Sequence, residues 1–201
     1  LTKVIFVRHG QTSWNQEKRY QGHSDISLNK MGVRQAELVG ERLAKENIGV
    51  IYSSDLLRSY QTAEAIAQHH GLPIITRAGF REINFGLWEG LTYQDIMGNW
   101  PEILTGMYSQ PGEISPPQGE SFFTVKQRVS KELQQCIADH PKETVVIVSH
   151  GGTMRVLLCA ALNIGLDKMW SIRQDSTAIN IIHYLDNQTV VSLINDTCHI
   201  E

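Results

Sequence analysis

Cysteine is scarce in this chain: Cys136, Cys159 and Cys198 are the only three among 201 residues, and no two stand in a CxxC spacing. An odd, widely spaced set argues against a disulfide framework and against a structural zinc site, and it fits a reducing compartment. Long apolar runs are missing too. The longest, Val156 to Leu162, has seven residues, far short of the roughly 20 needed to span a bilayer. No signal-like stretch precedes the first apolar segment, so the expectation is a cytoplasmic chain with no membrane partner. Positive charge is not in excess: the formal net charge of −3 leaves no footprint for nucleic acid or an anionic surface. Any anion bound here must therefore be met by a local cluster of positive groups. The sequence also has no GxxxxGKS/T loop, no GxGxxG turn, no internal repeat, no low-complexity tract and no carboxylate cluster suited to magnesium. No metal and no cofactor are expected.

What is present is an ordinary globular composition, 41% hydrophobic and 19% charged, enough for one well-filled core and read as a single domain over residues 1–201. Short apolar or β-branched runs, Lys3 to Val7, Val50 to Tyr52, Pro73 to Thr76 and Thr144 to Val148, predict buried parallel strands. Ile179 to Tyr184 and Thr189 to Leu193, joined by Leu185-Asp186-Asn187-Gln188, predict a hairpin near the C-terminus. Helical patterns lie between the strands. Asn29 predicts an N-cap ahead of Ala36, Val39, Gly40 and Leu43. Asp55 predicts a second cap, ahead of Leu56, Tyr60, Ala63 and Ala67. Phe122, Val125, Val129, Leu133 and Cys136 form a third stripe, and a fourth helix follows Gly151-Gly152 with Val156, Leu157 and Ala160 facing inward. His69 and His70 are placed at the C-terminus of the second helix, where they suit its dipole. The alternation predicts an α/β protein with a mostly parallel central sheet covered on both faces. Residues 91–118, which hold Trp100, Tyr108 and several prolines, predict an insertion over one end of that sheet.

Two of the predicted strands end alike. The first delivers Arg8-His9-Gly10 and the fourth Ser149-His150-Gly151-Gly152. Ligands of open α/β sheets bind beyond the carboxyl ends of strands, so neighbouring strands would bring His9 and His150 to one edge. Arg58, early on the helix after the second strand, can reach the same edge. Two arginine forks suit phosphoryl oxygens, and a helix opening at Gly151-Gly152 offers backbone N–H groups to an anion. A histidine there is either a ligand contact or a nucleophile, and among these cations it would stay neutral at pH 7 and keep a lone pair. Cleaving a phosphate ester also needs a proton for the leaving oxygen. Glu82 is the best candidate, with Trp88 expected nearby to limit solvent and favour the protonated form; Glu89 and Glu120 are the alternatives.

The ordered set RHGQTSWN, YQG (Tyr20 to Gly22), SSDLLRSYQTA, REINFGLWEG, GES (Gly119 to Ser121) and SHGG resembles the motif set of the histidine phosphatase superfamily, the clan of cofactor-dependent phosphoglycerate mutases and bacterial phosphatases. The resemblance implies a three-layer α/β/α sandwich and a phosphohistidine intermediate. It implies His9 as nucleophile, Arg8, Arg58 and His150 as phosphoryl-binding groups, and Asn15 and the backbone near Gly151 as further contacts. Gln21 and Gly22 match positions on the substrate side, His23 is a further candidate there, and Glu82 matches the acid/base. Three functions compete: a phosphatase of small phosphomonoesters, a cofactor-dependent phosphoglycerate mutase, and a non-catalytic phospholigand-binding protein. All catalytic positions are filled, which disfavours the last. Roughly thirty residues between Gly90 and Gly119 are too few for the enclosing segment of the mutases, and SHGG resembles the phosphatase branch. The ending Asn195 to Ile200 resembles α-ribazole phosphatases of cobalamin assembly and metal-independent phosphoserine phosphatases. The expected partner is a small phosphate ester, and a homodimer is left open.

Overall fold

The computed structural model describes residues 1–186 and 188–200. Its strands and α-helices run, in chain order, β1 (Thr2–Arg8), α1 (Ser13–Gln16), α2 (Lys30–Leu43), β2 (Val50–Ser53), α3 (Leu57–Ala67), β3 (Ile74–Thr76), α4 (Tyr93–Asn99), α5 (Pro101–Ser109), α6 (Phe122–Asp139), β4 (Thr144–Ser149), α7 (Gly151–Ala161), β5 (Ile179–Leu185) and β6 (Gln188–Asp196). The strands form one sheet in the order β3-β2-β4-β1-β5-β6. β1, β2, β3 and β4 pair in parallel, while β5 and β6 form the expected antiparallel hairpin against β1. Asn187, in the turn read from the sequence, lies outside the described residues.

The pleat divides the strand side chains between two faces. Val4, Phe6, Val50, Tyr52, Val145 and Ile147 pack in one cluster with residues of α4, α5, α6 and α7. Ile5, Val7, Ile51, Val146 and Val148 pack in the other with residues of α2 and α3. Helices on both faces explain why the strands read as unbroken apolar runs. The α6 stripe is buried at all five expected positions, and each large apolar side chain so buried stabilises the fold by about 2 kcal/mol. Asn29 caps α2 through Oδ1, which accepts from Gly32 N at 2.8 Å.

Three local expectations are corrected. Asp55 caps nothing: α3 starts after Leu56 without a side-chain cap, and Leu57 N donates to Asp25 Oδ1 at 2.7 Å. The Asp55 carboxylate is held instead by Arg81, whose Nε and Nη2 each donate at 2.7 Å; a bidentate charge-assisted pair outcompetes a single backbone N–H. Second, Gly151 and Gly152 belong to the first turn of α7, with His150 as the residue before it. Third, Ala160 is exposed, so the buried face of α7 is carried by Met154, Val156, Leu157, Leu158 and Cys159. The 91–118 segment holds the short helices α4 and α5, anchored by Ile96, Leu104 and Met107 in the first cluster. Its Tyr108 hydroxyl lies 3.0 Å from that of Tyr20. Among the described residues no helix is long and apolar enough to cross a membrane.

Candidate active site

β1 and β4 are parallel neighbours in a register that sets Arg8 beside Ser149. The next residue on each strand therefore leaves the sheet at the same edge. His9 N donates to Ser149 O at 2.9 Å, and the His9 and His150 ring centroids are 5.1 Å apart. Arg58 joins them from the first turn of α3, because β2 lies on the other side of β4. It is wholly buried, and its Nη1 and Nη2 donate to Ser24 O and Gly22 O at 2.9 and 2.8 Å. The 22–24 loop is thereby tied to the sheet edge. Gly22 has φ +55°, and a side chain there would collide with the Glu89 carboxylate; only glycine suits both conditions.

A cavity of about 220 Å³ opens at this edge, lined by Arg8, His9, Asn15, Lys18, Arg19, Tyr20, Gln21, Gly22, Arg58, Glu82 and Phe85. Asn15 is fixed by a capping box around the four-residue α1, its Oδ1 accepting from Thr12 N at 3.0 Å. The Thr12 hydroxyl also lies 3.0 Å from Gln21 Oε1. Lys18, Arg19, Tyr20 and Phe85 were not singled out as binding residues from the sequence. Three candidates stand outside the lining: His150 packs beside His9, Gly151 opens α7, and His23 turns its ring to the Glu82 carbonyl, 2.9 Å from Nε2. A carbonyl can only accept, so that bond commits the imidazole N–H to the backbone.

The electrostatics follow from burial among like charges. His9 is pushed well below the ordinary imidazole value of 6.5, chiefly by burial, then by Arg58 and Arg8, with its bond to Gly10 opposing. His150 is pushed the same way by burial, then Arg58 and His9. Burial draws Arg58 down to about 10, which leaves it charged at neutral pH. Arg8 is lowered by burial and then by Arg155, while Glu82 and Asp175 oppose. The tautomer of His9 is set locally: Nδ1 lies 2.7 Å from Gly10 O, so Nδ1 carries the hydrogen and Nε2 keeps the lone pair. Buried Arg8 Nε, Arg58 Nε and His150 Nδ1 have no hydrogen-bond partner among the described residues. The two guanidinium N–H groups call for an acceptor, and a phosphoryl group with its several anionic oxygens can serve them together.

Glu82 faces the same ground from the loop after β3, held against the first turn of α7. Its Oε2 accepts from Gly152 N at 2.9 Å and its Oε1 from Thr153 N at 3.0 Å, the amides that a helix N-terminus leaves unpaired. A Cβ on residue 152 would come within 2.6 Å of Glu82 Oε1, so glycine there permits the approach. The surroundings expected for Glu82 are corrected on this point: amides and the Thr153 hydroxyl hold its carboxyl group, whereas Trp88 is fully buried in the core and meets Tyr20 edge-on. Glu89 and Glu120 are engaged elsewhere. Glu89 accepts from His23 N, Ser24 N and Ser24 Oγ at 2.6–2.8 Å, and Glu120 pairs with Arg128 at 3.0 Å. Arg155 was missed by the sequence reading although a signal existed: it stands four residues after Gly151, on the same helix face. Its guanidinium lies near that of Arg8 and over the Trp170 ring, 5.8 Å from the centroid.

A neutral histidine with a free lone pair, flanked by Arg8 and the buried Arg58 at the carboxyl edge of a parallel sheet, defines a protein built to take a phosphoryl group. The chain belongs to the histidine phosphatase superfamily (branch 1), whose family model matches residues 4–197. It is 36% identical over 200 residues to phosphoserine phosphatase 1 of Hydrogenobacter thermophilus, covering 100% of this chain and 95% of that protein. It is also 36% identical to phosphoglycerate mutase-like protein 4 of Arabidopsis thaliana, covering 99% of this chain and 87% of that one. The solved structure of Bacillus stearothermophilus YhfR superposes with a TM-score of 0.95 at 34% identity, with both chains fully covered.

Proposed function

We propose that this protein hydrolyses small phosphomonoesters, without a metal ion, through a phosphohistidine formed on His9. The observation that carries the reading is the Nδ1 bond of His9 to Gly10 O, which reserves Nε2 as a lone-pair nitrogen in a cavity walled by Arg8 and Arg58. His9 Nε2 attacks phosphorus, the phosphorus–oxygen ester bond breaks, and the electron pair leaves with the alcohol oxygen. Glu82 in its protonated form donates the proton that makes this oxygen an alcohol. Water then attacks the phosphohistidine, the Glu82 carboxylate takes its proton, and phosphate leaves with His9 restored. Arg8, Arg58 and His150 hold the phosphoryl oxygens, with Asn15 and the Gly151 backbone beside them. Gln21 and Gly22 face the ester group, and His23 serves this side through the loop it ties to Glu82. A reducing, cytoplasmic setting fits the burial of Cys136 and Cys159 in the core.

Phosphoserine is the first substrate to test, given the relatives of this chain, and α-ribazole 5′-phosphate belongs in the same panel. After exhaustive chelation the rates on these esters should be unchanged, because arginines and a helix N-terminus supply the positive charge that a metal would. Strict dependence on added magnesium would contradict this. With 3-phosphoglycerate, with or without bisphosphoglycerate, free phosphate should accumulate; efficient conversion to 2-phosphoglycerate would make the protein a mutase.

Glu82→Gln separates the acid role from scaffolding. A general acid is worth roughly 10²- to 10⁴-fold where the leaving group is a poor one. Phosphoserine hydrolysis should fall by that order. With p-nitrophenyl phosphate, whose phenolate leaves unprotonated, a fast burst of nitrophenol should precede a slow steady rate. Equal losses on both esters with no burst would make Glu82 structural.

A further inference from the structure

Glu82 stands on a loop, and loops do not fix their own backbone. Four consecutive carbonyls of this one nevertheless accept hydrogen bonds from side chains. Gly79 O takes Arg128 Nη1 at 2.8 Å, and Phe80 O takes Ser149 Oγ at 2.7 Å. Arg81 O takes Arg128 Nη1 and Thr153 Oγ1, both at 2.8 Å. Glu82 O takes Arg128 Nη2 at 2.8 Å as well as His23 Nε2. The same guanidinium forks onto Glu120, Nε to Oε1 at 3.1 Å and Nη2 to Oε2 at 3.0 Å. Glu120 Oε2 in turn accepts from Asn84 N at 2.9 Å, beyond Glu82 on the same loop. A guanidinium has five N–H groups, and these five bonds use all of them, on both flanks of Glu82.

We infer that Arg128 is the positioning residue for Glu82: from α6 it sets the backbone that aims the carboxyl group, and it is not itself among the residues lining the cavity. The inference rests on the acid role proposed for Glu82. Lysine cannot replace it, because three donors on one atom cannot reproduce a planar fork of five. A carboxyl group held off its place by about an ångström loses on the order of 10²-fold in rate.

The test measures Arg128→Lys and Arg128→Met, each alone and combined with Glu82→Gln, on phosphoserine and on the nitrophenol burst. Arg128→Lys should lower kcat for phosphoserine roughly 10- to 100-fold with little change in KM, and slow the burst far less. In the Glu82→Gln background it should cost nothing more on phosphoserine, since the group it positions is gone. Should Arg128→Met not fold, the lysine variant carries the test by itself. Equal losses on both esters, additive losses in the double variant, or a wild-type kcat for Arg128→Lys would each overturn the positioning role. A Glu82→Gln variant indifferent to the leaving group would instead overturn the acid reading, and this inference with it.

Discussion

His9→Ala should abolish turnover on every ester, because among the described residues no other side chain in the cavity combines an imidazole lone pair at neutral pH with a place beside Arg8 and Arg58. Burial and the two arginines hold the imidazole neutral, so the wild-type nucleophile is ready without a separate base. Brief mixing of the wild type with labelled substrate should trap a phosphoryl group that is acid-labile and base-stable, as a phosphorus–nitrogen bond requires. The alanine variant should trap none. A base-labile or acid-stable label would point to a serine or carboxylate nucleophile and overturn the mechanism. The substitution removes one buried ring without breaking a long-range hydrogen bond, since Nδ1 is satisfied by the neighbouring residue. Loss of rate should therefore come without loss of the folded state, which thermal unfolding can check.

Arg58→Ala should cost on the order of 10³-fold or more in kcat/KM, the scale of a single arginine that stabilises charge in phosphoryl transfer. It also does more than bind. Its loss leaves Gly22 O and Ser24 O without the guanidinium that now serves them, so the 22–24 loop should loosen and the melting temperature fall. Arg58→Met keeps much of the volume and separates packing from charge. A pH profile supplies a signature that loosening alone would not give. His9 sits below 6.5 through burial first and Arg58 second; removing Arg58 raises it toward 6.5. The acid limb of the rate profile, where His9 becomes protonated and loses its lone pair, should then move to higher pH. An unchanged limb would show that burial and Arg8 keep His9 neutral without Arg58.

The strands, the Asn29 cap and the α6 stripe were legible because each is written within a few residues, in a period of two, in one side chain reaching a nearby amide, or in spacings of three and four. The pairing of His9 with His150 was legible only conditionally, on the two strands being neighbours. Asp55 misled because a cap is the local solution for an aspartate before a helix, while Arg81, 26 residues away, offered a stronger one. Glu82 was found by its motif, but its surroundings were not. The amides that hold it lie 70 and 71 residues further on, and the guanidinium that holds its carbonyl lies 46 away.

By itself the sequence determined which segments become strands and helices, that the chain must bury a sheet on both faces, and which residue types end at the sheet's edge. These are matters of periodicity and local donors, and periodicity acts over a turn or a pleat. The tertiary structure alone decided that β4 lies between β2 and β1, and so that Arg58, His9 and His150 converge. It also decided that Glu82 meets the first turn of α7 and that Arg128 divides its donors between the carbonyls of the Glu82 loop and the Glu120 carboxylate. Such contacts depend on how two faces of apolar side chains close over the same six strands, and on each buried polar group finding a partner once they have closed.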